Sequence, residues 1–478
     1  MRSTQYCVSS CSAARSQLQS ALLAILALCV TIVSAETALR TAVAQAQQPI
    51  RHVILVSVDG LMPAVYVSPD AHGLQVPALR EMARSGAWSE GARSVFPTVT
   101  YPAHASIATG ANPATHGIIS NLAWDPLNKN NRGWRWYAED IHAPTLWDAA
   151  LARGLRTALI WWPATVGARG TVVVPEIWRS GTEEDLKLAR ALATPGIMDA
   201  VAARFPNFRA GFMPPNVKDE SLADFAVHLI ETLRPHLLLL HMTEVDHEQH
   251  SAGPFSAKAL AAVENADRQI TRLIAAAKTA AIWNETALIV VSDHGFAAIS
   301  QRVRPGVLLL EKGLVTLDQR NRITDWKAYL AASGGYAYVY VKDPNDAETR
   351  KALFESLLPL AGKSASGIRH VYTQKEIRDK GGDPSAYLAL EGAEGFAITE
   401  GYRGDYISPS TVMGTHGYDP ERPAMLASLL VYGPAIAPGK LERARLIDVA
   451  PTVAGWLGLK LEKAEGAPLA VGLSTPQR

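Results

Sequence analysis

The sequence contains very little cysteine. The three cysteines among its 478 residues, Cys7, Cys11 and Cys29, all lie close to the amino terminus. If this leader is removed, the mature chain has no thiol, so it forms no disulfide and binds no metal through thiolate sulfur. A metal site would then be built from carboxylate and imidazole ligands. An oxidising compartment would not damage such a chain.

An excess of either charge is also absent. Lys and Arg number 46 against 45 Asp and Glu, and the formal net charge is +1. This balance argues against a surface that coats nucleic acid, and no long run of one sign marks a charged tail. A phosphate-binding pocket remains compatible with it, because bound metal ions would supply local positive charge.

Long apolar runs are missing except near the amino terminus. There, Arg2 and Arg15 precede an apolar run from Leu22 to Val33, and small-residue cleavage sites follow, the second at 44–46. This order predicts a secretory signal peptide, and hence a periplasmic or secreted mature chain without a membrane span. The alternative is a membrane anchor, but the run is shorter than the ~20 apolar residues that cross a bilayer.

Short apolar runs recur through the rest of the chain, and helical patterns separate them. The runs lie at 52–60, 157–162, 236–242, 287–292 and 425–432. The helical patterns lie at 76–85, 145–153, 222–233, 257–279 and 448–457. Apolar, β-branched runs of this length are typical of buried parallel strands. The alternation predicts an α/β fold with a mostly parallel central sheet and helices on both faces.

The stretch 300–408 differs from its surroundings, because it combines glycine pairs at 334–335 and 381–382 with short strands such as 336–341. We interpret it as an inserted cap subdomain. The predicted organisation is a signal peptide and linker at 1–46, the catalytic α/β domain at 47–299 and 409–478, and the cap at 300–408.

Metal-type ligands follow three of the predicted strands. They are Asp59 after the first, Asp246 and His250 after the third, and Asp293 and His294 after the fourth. Because parallel strands end at one edge of a sheet, we expect these side chains to converge there, and the loop that carries His416 would reach the same edge. The carboxylate and imidazole set suits Zn²⁺, with other divalent ions as alternatives. The neighbouring His241 and Glu244 are compatible with the core or with a place behind the ligands.

A threonine-rich loop supplies the candidate nucleophile. Thr98 precedes a helical pattern, where a hydroxyl becomes nucleophilic if a metal lowers its pKa and the helix N-terminus helps to hold an anion. Thr100 is an equal candidate on spacing alone. Either threonine is also compatible with a simple helix cap.

Taken together, these segments closely resemble the nucleotide pyrophosphatase/phosphodiesterase family of the alkaline phosphatase superfamily. The matching motifs occur in the family's order: Phe-Pro-Thr-x-Thr-x-Pro-x-His at 96–104, His-Gly-Ile-Ile-x-Asn at 116–121, Asp-x-x-x-His at 246–250, Ser-Asp-His-Gly at 292–295 and His-Gly-Tyr-Asp at 416–419. The resemblance extends from about residue 53 to 459. It therefore covers nearly all of the predicted mature chain.

The resemblance implies a two-zinc hydrolase of phosphodiester or pyrophosphate bonds, acting on a small nucleotide-type substrate. Thr98 would be the nucleophile between the two zinc ions and would form a covalent phosphothreonine-type intermediate. Asn121 would hydrogen-bond a phosphoryl oxygen. The implied zinc ligands are Asp59, Asp293 and His294 for one ion, and Asp246, His250 and His416 for the other.

Two other functions stay open at this point. A phosphomonoesterase with a threonine nucleophile would need additional cations, for which Arg169 and Arg179 are the candidates. A periplasmic nucleotide-binding protein that has lost its chemistry is the non-enzyme alternative. A nucleotide base would need an aromatic ring on which to stack, and choline phosphodiesters are a competing substrate class. The candidate rings are Tyr101, Trp162 and Trp178.

Overall fold

The computed structural model describes residues 50–130, 133–178, 182–213 and 217–474. The predicted signal peptide and linker at 1–46, with all three cysteines, lie outside these residues, as does Arg179. Within the ranges given, no helix is both long enough and apolar enough to cross a membrane.

The described chain contains strands throughout its length. In chain order they are β1 (His52–Val58), β2 (Ala87–Trp88), β3 (Thr157–Ile160), β4 (Val172–Val174), β5 (Leu237–Met242), β6 (Thr286–Val291), β7 (Ala297–Val303), β8 (Val315–Leu317), β9 (Ile323–Trp326), β10 (Ala328–Ser333), β11 (Tyr336–Val341), β12 (Ile368–Thr373), β13 (Leu388–Gly392), β14 (Gly395–Ile398), β15 (Ile407–Pro409), β16 (Gly414–Thr415), β17 (Leu429–Tyr432) and β18 (Gly439–Lys440).

Helices lie between most of these strands. They are α1 (Ala64–Val67), α2 (Pro77–Ser85), α3 (Thr100–Thr109), α4 (Pro113–His116), α5 (Leu146–Ala152), α6 (Glu183–Leu192), α7 (Ile197–Arg204), α8 (Phe208–Gly211), α9 (Asp219–Thr232), α10 (Glu244–Ala252), α11 (Ala257–Thr279), α12 (Gly306–Glu311), α13 (Ala347–Leu357), α14 (Gln374–Asp379) and α15 (Val449–Leu457).

Eight strands form the central sheet, in the order β18-β2-β17-β6-β1-β5-β3-β4. Strand β17 is antiparallel to both of its neighbours, and the other pairings in the sheet are parallel. The predicted α/β fold with a mostly parallel sheet is therefore confirmed.

Helices cover both faces of this sheet because the side chains of each strand alternate between the faces. Along β1, Ile54 and Val56 pack into an apolar cluster that includes residues of α9 and α11. The intervening Val53 and Leu55 pack into a second cluster, which includes residues of α3, α5 and α15. The apolar run of β1 therefore reflects burial on both sides, as its composition predicts.

The register of the sheet brings the ends of three strands together. Val58 at the end of β1 aligns with Met242 of β5, and Ser57 aligns with Val291 of β6. The residues that follow these strands therefore emerge next to one another at the carboxyl edge, where open α/β sheets place their sites.

The stretch 300–408 contains its own four-stranded antiparallel sheet, in the order β10-β11-β13-β12. A further sheet pairs β7 with β14, β15 and β16, and so it extends beyond both ends of that stretch. By its internal contacts, the chain from Ile50 onward forms one unit. The division into a catalytic domain and a cap at 300 and 408 remains a prediction.

Some element boundaries differ from those predicted. The strand expected at 157–162 ends at Ile160, because Trp161 adopts a positive φ of 53° that turns the chain. The strand expected at 425–432 begins only at Leu429, because residues 423–425 form a 3₁₀ turn. Both differences come from local backbone geometry that an apolar pattern does not reveal.

Candidate active site

Asp59, Asp293 and His294 form one cluster at the carboxyl edge of the sheet, with ligand atoms within 4.8 Å of one another. Asp59 follows β1, and the other two residues follow the neighbouring β6. His294 Nε2 lies 3.4 Å from Asp59 Oδ1 and 3.0 Å from Asp293 Oδ2. All three side chains are buried.

Each side chain of this cluster has one polar atom held by the protein and another without a hydrogen bond. Asp293 Oδ1 accepts from two backbone N–H groups, and Asp59 Oδ2 lies 3.1 Å from His241 Nε2. His294 Nδ1 donates to the Gly295 carbonyl at 3.0 Å. The remaining atoms, Asp59 Oδ1, Asp293 Oδ2 and His294 Nε2, lie close to one another but not in the geometry of a hydrogen bond. Buried polar atoms are almost always partnered, so this set fits a bound cation.

Asp246, His250 and His416 form the second cluster. Asp246 and His250 lie one turn apart on α10, and His416 follows β16. The Nε2 atoms of the two histidines are 3.4 Å and 3.7 Å from Asp246 Oδ1, an atom that has no hydrogen bond. Their Nδ1 atoms donate to the carbonyls of Gly414 and Thr98, at 3.0 Å and 2.9 Å. This arrangement leaves each Nε2 free to bind a metal.

The two clusters are adjacent. The rings of His294, from the first cluster, and His416, from the second, stack in parallel, with their centroids 3.6 Å apart and 8° between the planes. The structure thus brings all six predicted ligands together as two neighbouring groups of three. Their role as metal ligands remains a proposal.

Thr98 lies beside the second cluster, in the loop before α3. Its side chain is buried, and its backbone carbonyl accepts the hydrogen bond from His416. Its hydroxyl accepts from Gly417 N at 3.1 Å and donates to the Tyr418 carbonyl at 2.8 Å. Thr100 is the first residue of α3. Thr98 therefore contacts residues 416–418, and its role as the nucleophile remains a proposal.

The side chain of Asn121 packs against the first turn of α3, where its Oδ1 accepts a hydrogen bond from Tyr101 N at 2.9 Å. An amide has one acceptor oxygen and one donor NH₂ group, so this bond orients the side chain and leaves its NH₂ available as a donor. A donor beside the first turn of α3, the helix that begins two residues after Thr98, suits an anionic phosphoryl oxygen.

Charge in the two clusters is poorly balanced. Burial and repulsion by Asp293 and Asp246 raise the pKa of Asp59 well above its usual range. Burial lowers the pKa of His294, but attraction to Asp293 outweighs it and raises the value to about 9. Burial and repulsion by the neighbouring histidines hold the pKa of His416 well below its usual range. A divalent cation would neutralise this concentration of negative charge.

Two buried residues behind the first cluster are less evident from the sequence. His241 contacts both Asp59 and Glu176. The sequence left the place of His241 open between the core and a position behind the ligands, and it did not indicate Glu176. Burial lowers the pKa of His241, but attraction to Glu176 and hydrogen bonds to both carboxylates raise it well above its usual range. The available signal was an acidic residue within the apolar stretch 172–178.

The predicted aromatic rings differ in their accessibility. Tyr101 and Trp162 are fully buried, so neither offers a ring face to a substrate. Trp178 is partly exposed and stacks on Trp134, with centroids 5.6 Å apart. Arg169 pairs with Asp148 and is largely exposed, which gives no support to its predicted role as a phosphate-binding cation.

A family model described as type I phosphodiesterase/nucleotide pyrophosphatase matches residues 53–419. The chain belongs to this family. The resemblance inferred from the motifs is therefore confirmed, and the chain is a member of a family of metal-dependent hydrolases of phosphodiester and pyrophosphate bonds.

Curated relatives match over different shares of their length. Human bis(5'-adenosyl)-triphosphatase ENPP4 is 24% identical over 419 residues, which are 85% of this chain and 78% of that protein. Human ectonucleotide pyrophosphatase/phosphodiesterase family member 1 is 27% identical over 257 residues, or 51% of this chain. The match spans only 23% of the length of that relative.

Solved structures support the same fold. Human ectonucleotide pyrophosphatase/phosphodiesterase 5 superposes with a TM-score of 0.60 at 20% identity, covering 87% of this chain and 97% of that one. An inactive threonine-to-alanine variant of the murine protein, in complex with AMP, gives a TM-score of 0.59 at 21% identity with the same coverage. These likenesses establish an alkaline-phosphatase-like fold.

Proposed function

We propose that this chain is an exported two-zinc phosphodiesterase or nucleotide pyrophosphatase that uses Thr98 as its nucleophile. The observation that carries the proposal is the pair of adjacent three-residue clusters, joined through the stacked rings of His294 and His416 at 3.6 Å. The backbone of Thr98 accepts a hydrogen bond from one of those rings. The proposed nucleophile therefore lies beside the second cluster, whose His416 ring stacks on His294 of the first.

Each cluster would hold one ion. Three protein ligands per ion leave a coordination position open, as catalytic zinc sites require, and carboxylate with imidazole is a common zinc ligand set. When bound, the two ions would supply Lewis-acid stabilisation of charge on the attacking and leaving oxygens. Other divalent ions remain compatible with the same ligands.

The reaction itself uses three residues of the chain. The Thr98 oxygen attacks phosphorus and the bond from phosphorus to the leaving oxygen breaks. The leaving group departs with the equivalent of the proton that the Thr98 hydroxyl loses, and a phosphothreonine diester forms. Water then hydrolyses that ester and restores the hydroxyl. The Gly417 N–H, 3.1 Å from Thr98 Oγ1, stabilises negative charge on the attacking oxygen. The NH₂ group of Asn121 donates to a phosphoryl oxygen.

The substrate class that we propose is a small nucleotide. One relative is named as a bis(5'-adenosyl)-triphosphatase, and one solved relative holds AMP. In this chain, we propose that a nucleotide base stacks on Trp178, whose ring is partly exposed and itself stacks on Trp134. Stacking of a base on an aromatic ring contributes about 1–3 kcal/mol, enough to produce a clear preference for nucleoside esters.

The test compares hydrolysis of bis-p-nitrophenyl phosphate, a nucleoside 5′-p-nitrophenyl ester, p-nitrophenyl phosphate and p-nitrophenyl phosphorylcholine, each with zinc and after chelation. Thr98→Ala should abolish turnover. Thr100→Ala, two positions along the same loop, is the matched control and should retain it. We expect both diesters to be cleaved faster than the monoester, only with metal, and the nucleoside ester to be preferred.

Other outcomes would reassign the protein. Faster cleavage of the monoester would indicate a phosphomonoesterase, and preference for the choline ester would replace nucleotides as the substrate class. Tight nucleotide binding without turnover at any zinc concentration would indicate a binding protein. Activity that survives in Thr98→Ala but not in Thr100→Ala would move the nucleophile to Thr100.

Export is a separate part of the proposal and rests on the leader at 1–46. Expression of the full chain in a Gram-negative host should yield a periplasmic protein whose mass corresponds to cleavage after a small residue of that leader. Recovery of the uncleaved chain in the membrane fraction would instead support the anchor.

A further inference from the structure

A continuous chain of side-chain contacts runs from the first cluster to the protein surface. Asp59 Oδ2 lies 3.1 Å from His241 Nε2, and His241 Nδ1 lies 2.6 Å from Glu176 Oε2. The other carboxylate oxygen of Glu176 accepts a hydrogen bond from the indole N–H of Trp178. His241 and Glu176 are fully buried, whereas Trp178 is partly exposed.

The contacts of the His241 ring indicate how this series of side chains acts on Asp59. Each nitrogen of His241 lies within hydrogen-bond distance of a carboxylate oxygen, Nε2 at 3.1 Å from Asp59 Oδ2 and Nδ1 at 2.6 Å from Glu176 Oε2. Charge-assisted hydrogen bonds of this type are short and strongly orienting. The Trp161 carbonyl, 3.2 Å from Nδ1, makes a second and longer contact to the same nitrogen. Glu176 is therefore the main group that sets the plane and position of the ring.

The contact between His241 and Asp59 decides which carboxylate oxygen of Asp59 faces the other two residues of the first cluster. Because Oδ2 is held by His241, Oδ1 is left without a hydrogen bond, at 3.4 Å from His294 Nε2. If the ring moved, the carboxylate would be free to rotate about its last bond, and either oxygen could face any direction.

We propose that Glu176 is a positioning residue of the first metal site: through His241 it orients Asp59, so that one carboxylate oxygen stays directed at the cation. This inference rests on the proposed function, because it needs a metal at Asp59. Contacts behind a metal ligand typically change metal affinity by about 10–100-fold when they are removed.

The experiment measures zinc affinity of the full chain by competition with a chromophoric chelator, which resolves a first and a second bound ion. In Glu176→Ala, we expect one of the two ions to bind about 10–100-fold more weakly and the other to bind as in the wild type. In Glu176→Gln, the amide oxygen still accepts from His241, so the loss should be smaller. Cobalt substitution adds a second readout, since its visible absorption reports the geometry of the altered site.

Two control variants separate positioning from other effects. Asp267 is also a buried carboxylate, but it accepts from the backbone N–H groups of Ala78 and Leu79 at the start of α2. Asp267→Asn should therefore lower thermal stability and leave both zinc affinities unchanged. Trp178→Phe removes the indole N–H and one of the two fused rings, so it should raise the KM of a nucleoside ester, while both zinc affinities stay at the wild-type value because the contact from Glu176 to His241 is kept.

Recovery of the kcat of Glu176→Ala at saturating zinc, together with selective weakening of one ion, would support the positioning role. Wild-type zinc affinity in both Glu176 variants would overturn it. It would also be overturned if Glu176→Ala weakened both zinc sites equally and lowered thermal stability as much as Asp267→Asn does. If Glu176→Ala does not fold, Glu176→Gln decides between the same outcomes. A wild-type protein that binds no zinc would refute the proposed function itself, which distinguishes the two failures.

Discussion

Gly417→Ala tests whether activity and stability depend on the backbone conformation of Gly417, which lies beside Thr98. Gly417 has a φ of +99°, a conformation that glycine adopts readily and alanine does not. An added Cβ would lie 2.6 Å from the Ser333 carbonyl oxygen and 3.1 Å from the backbone nitrogen of Gly335. Both are backbone atoms in the turn between β10 and β11, so neither moves away as a flexible side chain would.

The expected cost follows from these two effects. A left-handed backbone costs alanine roughly 1–2 kcal/mol, and a packing clash adds about 1–3 kcal/mol, so the free energy of unfolding should fall by about 2–5 kcal/mol. The loss of activity should be larger than stability alone predicts. Gly417 N donates to Thr98 Oγ1, and the preceding residue is the candidate ligand His416. A displacement of about 1 Å between catalytic groups costs on the order of 100-fold in rate.

Gly154→Ala is the matched control, because Gly154 has a φ of +69° but no atom lies within 4 Å of its added Cβ. It should lose only about 1–2 kcal/mol of unfolding free energy and keep its activity. The assays are urea denaturation and kcat/KM for the diester at saturating zinc. Equal activity of the two variants would refute the reasoning, since it would show that the path at 417 does not position Thr98.

Three further predictions concern separate parts of the site and fold. Asn121→Asp keeps an acceptor for Tyr101 N but replaces the donor with an anionic oxygen, so kcat/KM for the diester should fall about 10²–10³-fold with little change in thermal stability. Chelation should lower the melting temperature, because ligand at 100 times its Kd contributes about 2.7 kcal/mol per site, and added zinc should restore it. Burial and repulsion by Glu244 raise the pKa of Asp219 from 3.8 to about 7. The folded state therefore binds the proton more tightly, so stability in urea should fall as pH rises between those values, and Asp219→Asn should flatten that profile.

Much of the fold was predictable because its strands are buried on both faces. A strand such as β1 has no alternation of polar and apolar side chains, and its continuous apolar run is therefore visible without any tertiary information. Less visible were two short strands at one side of the sheet, the edge strand β18 and its neighbour β2, which have two residues each. Their existence depends on pairing with distant parts of the chain rather than on local pattern.

The location of the site was also predictable, because carboxylates and imidazoles that follow neighbouring parallel strands converge at one edge of the sheet. Their division into two groups of three came from the family resemblance, and the structure places the residues in that same grouping. The choice between Thr98 and Thr100 is different. Spacing left it open, and the family resemblance assigned the role to Thr98. The contacts of Thr98 to residues more than 300 positions away were not visible in the sequence.

The sequence by itself thus determined the α/β class, the order of the motifs and the chemical kind of ligand, because these follow from local composition and from the geometry common to parallel sheets. Only the tertiary structure decided which atoms of four candidate ligands, Asp59, Asp246, Asp293 and His294, have no hydrogen bond. It also decided that Tyr101 and Trp162 are buried and that Glu176 and His241 lie behind Asp59. The contacts within that last group join residues 65 and 182 positions apart. Such contacts depend on how the strands are ordered in the sheet, and no local pattern encodes that order.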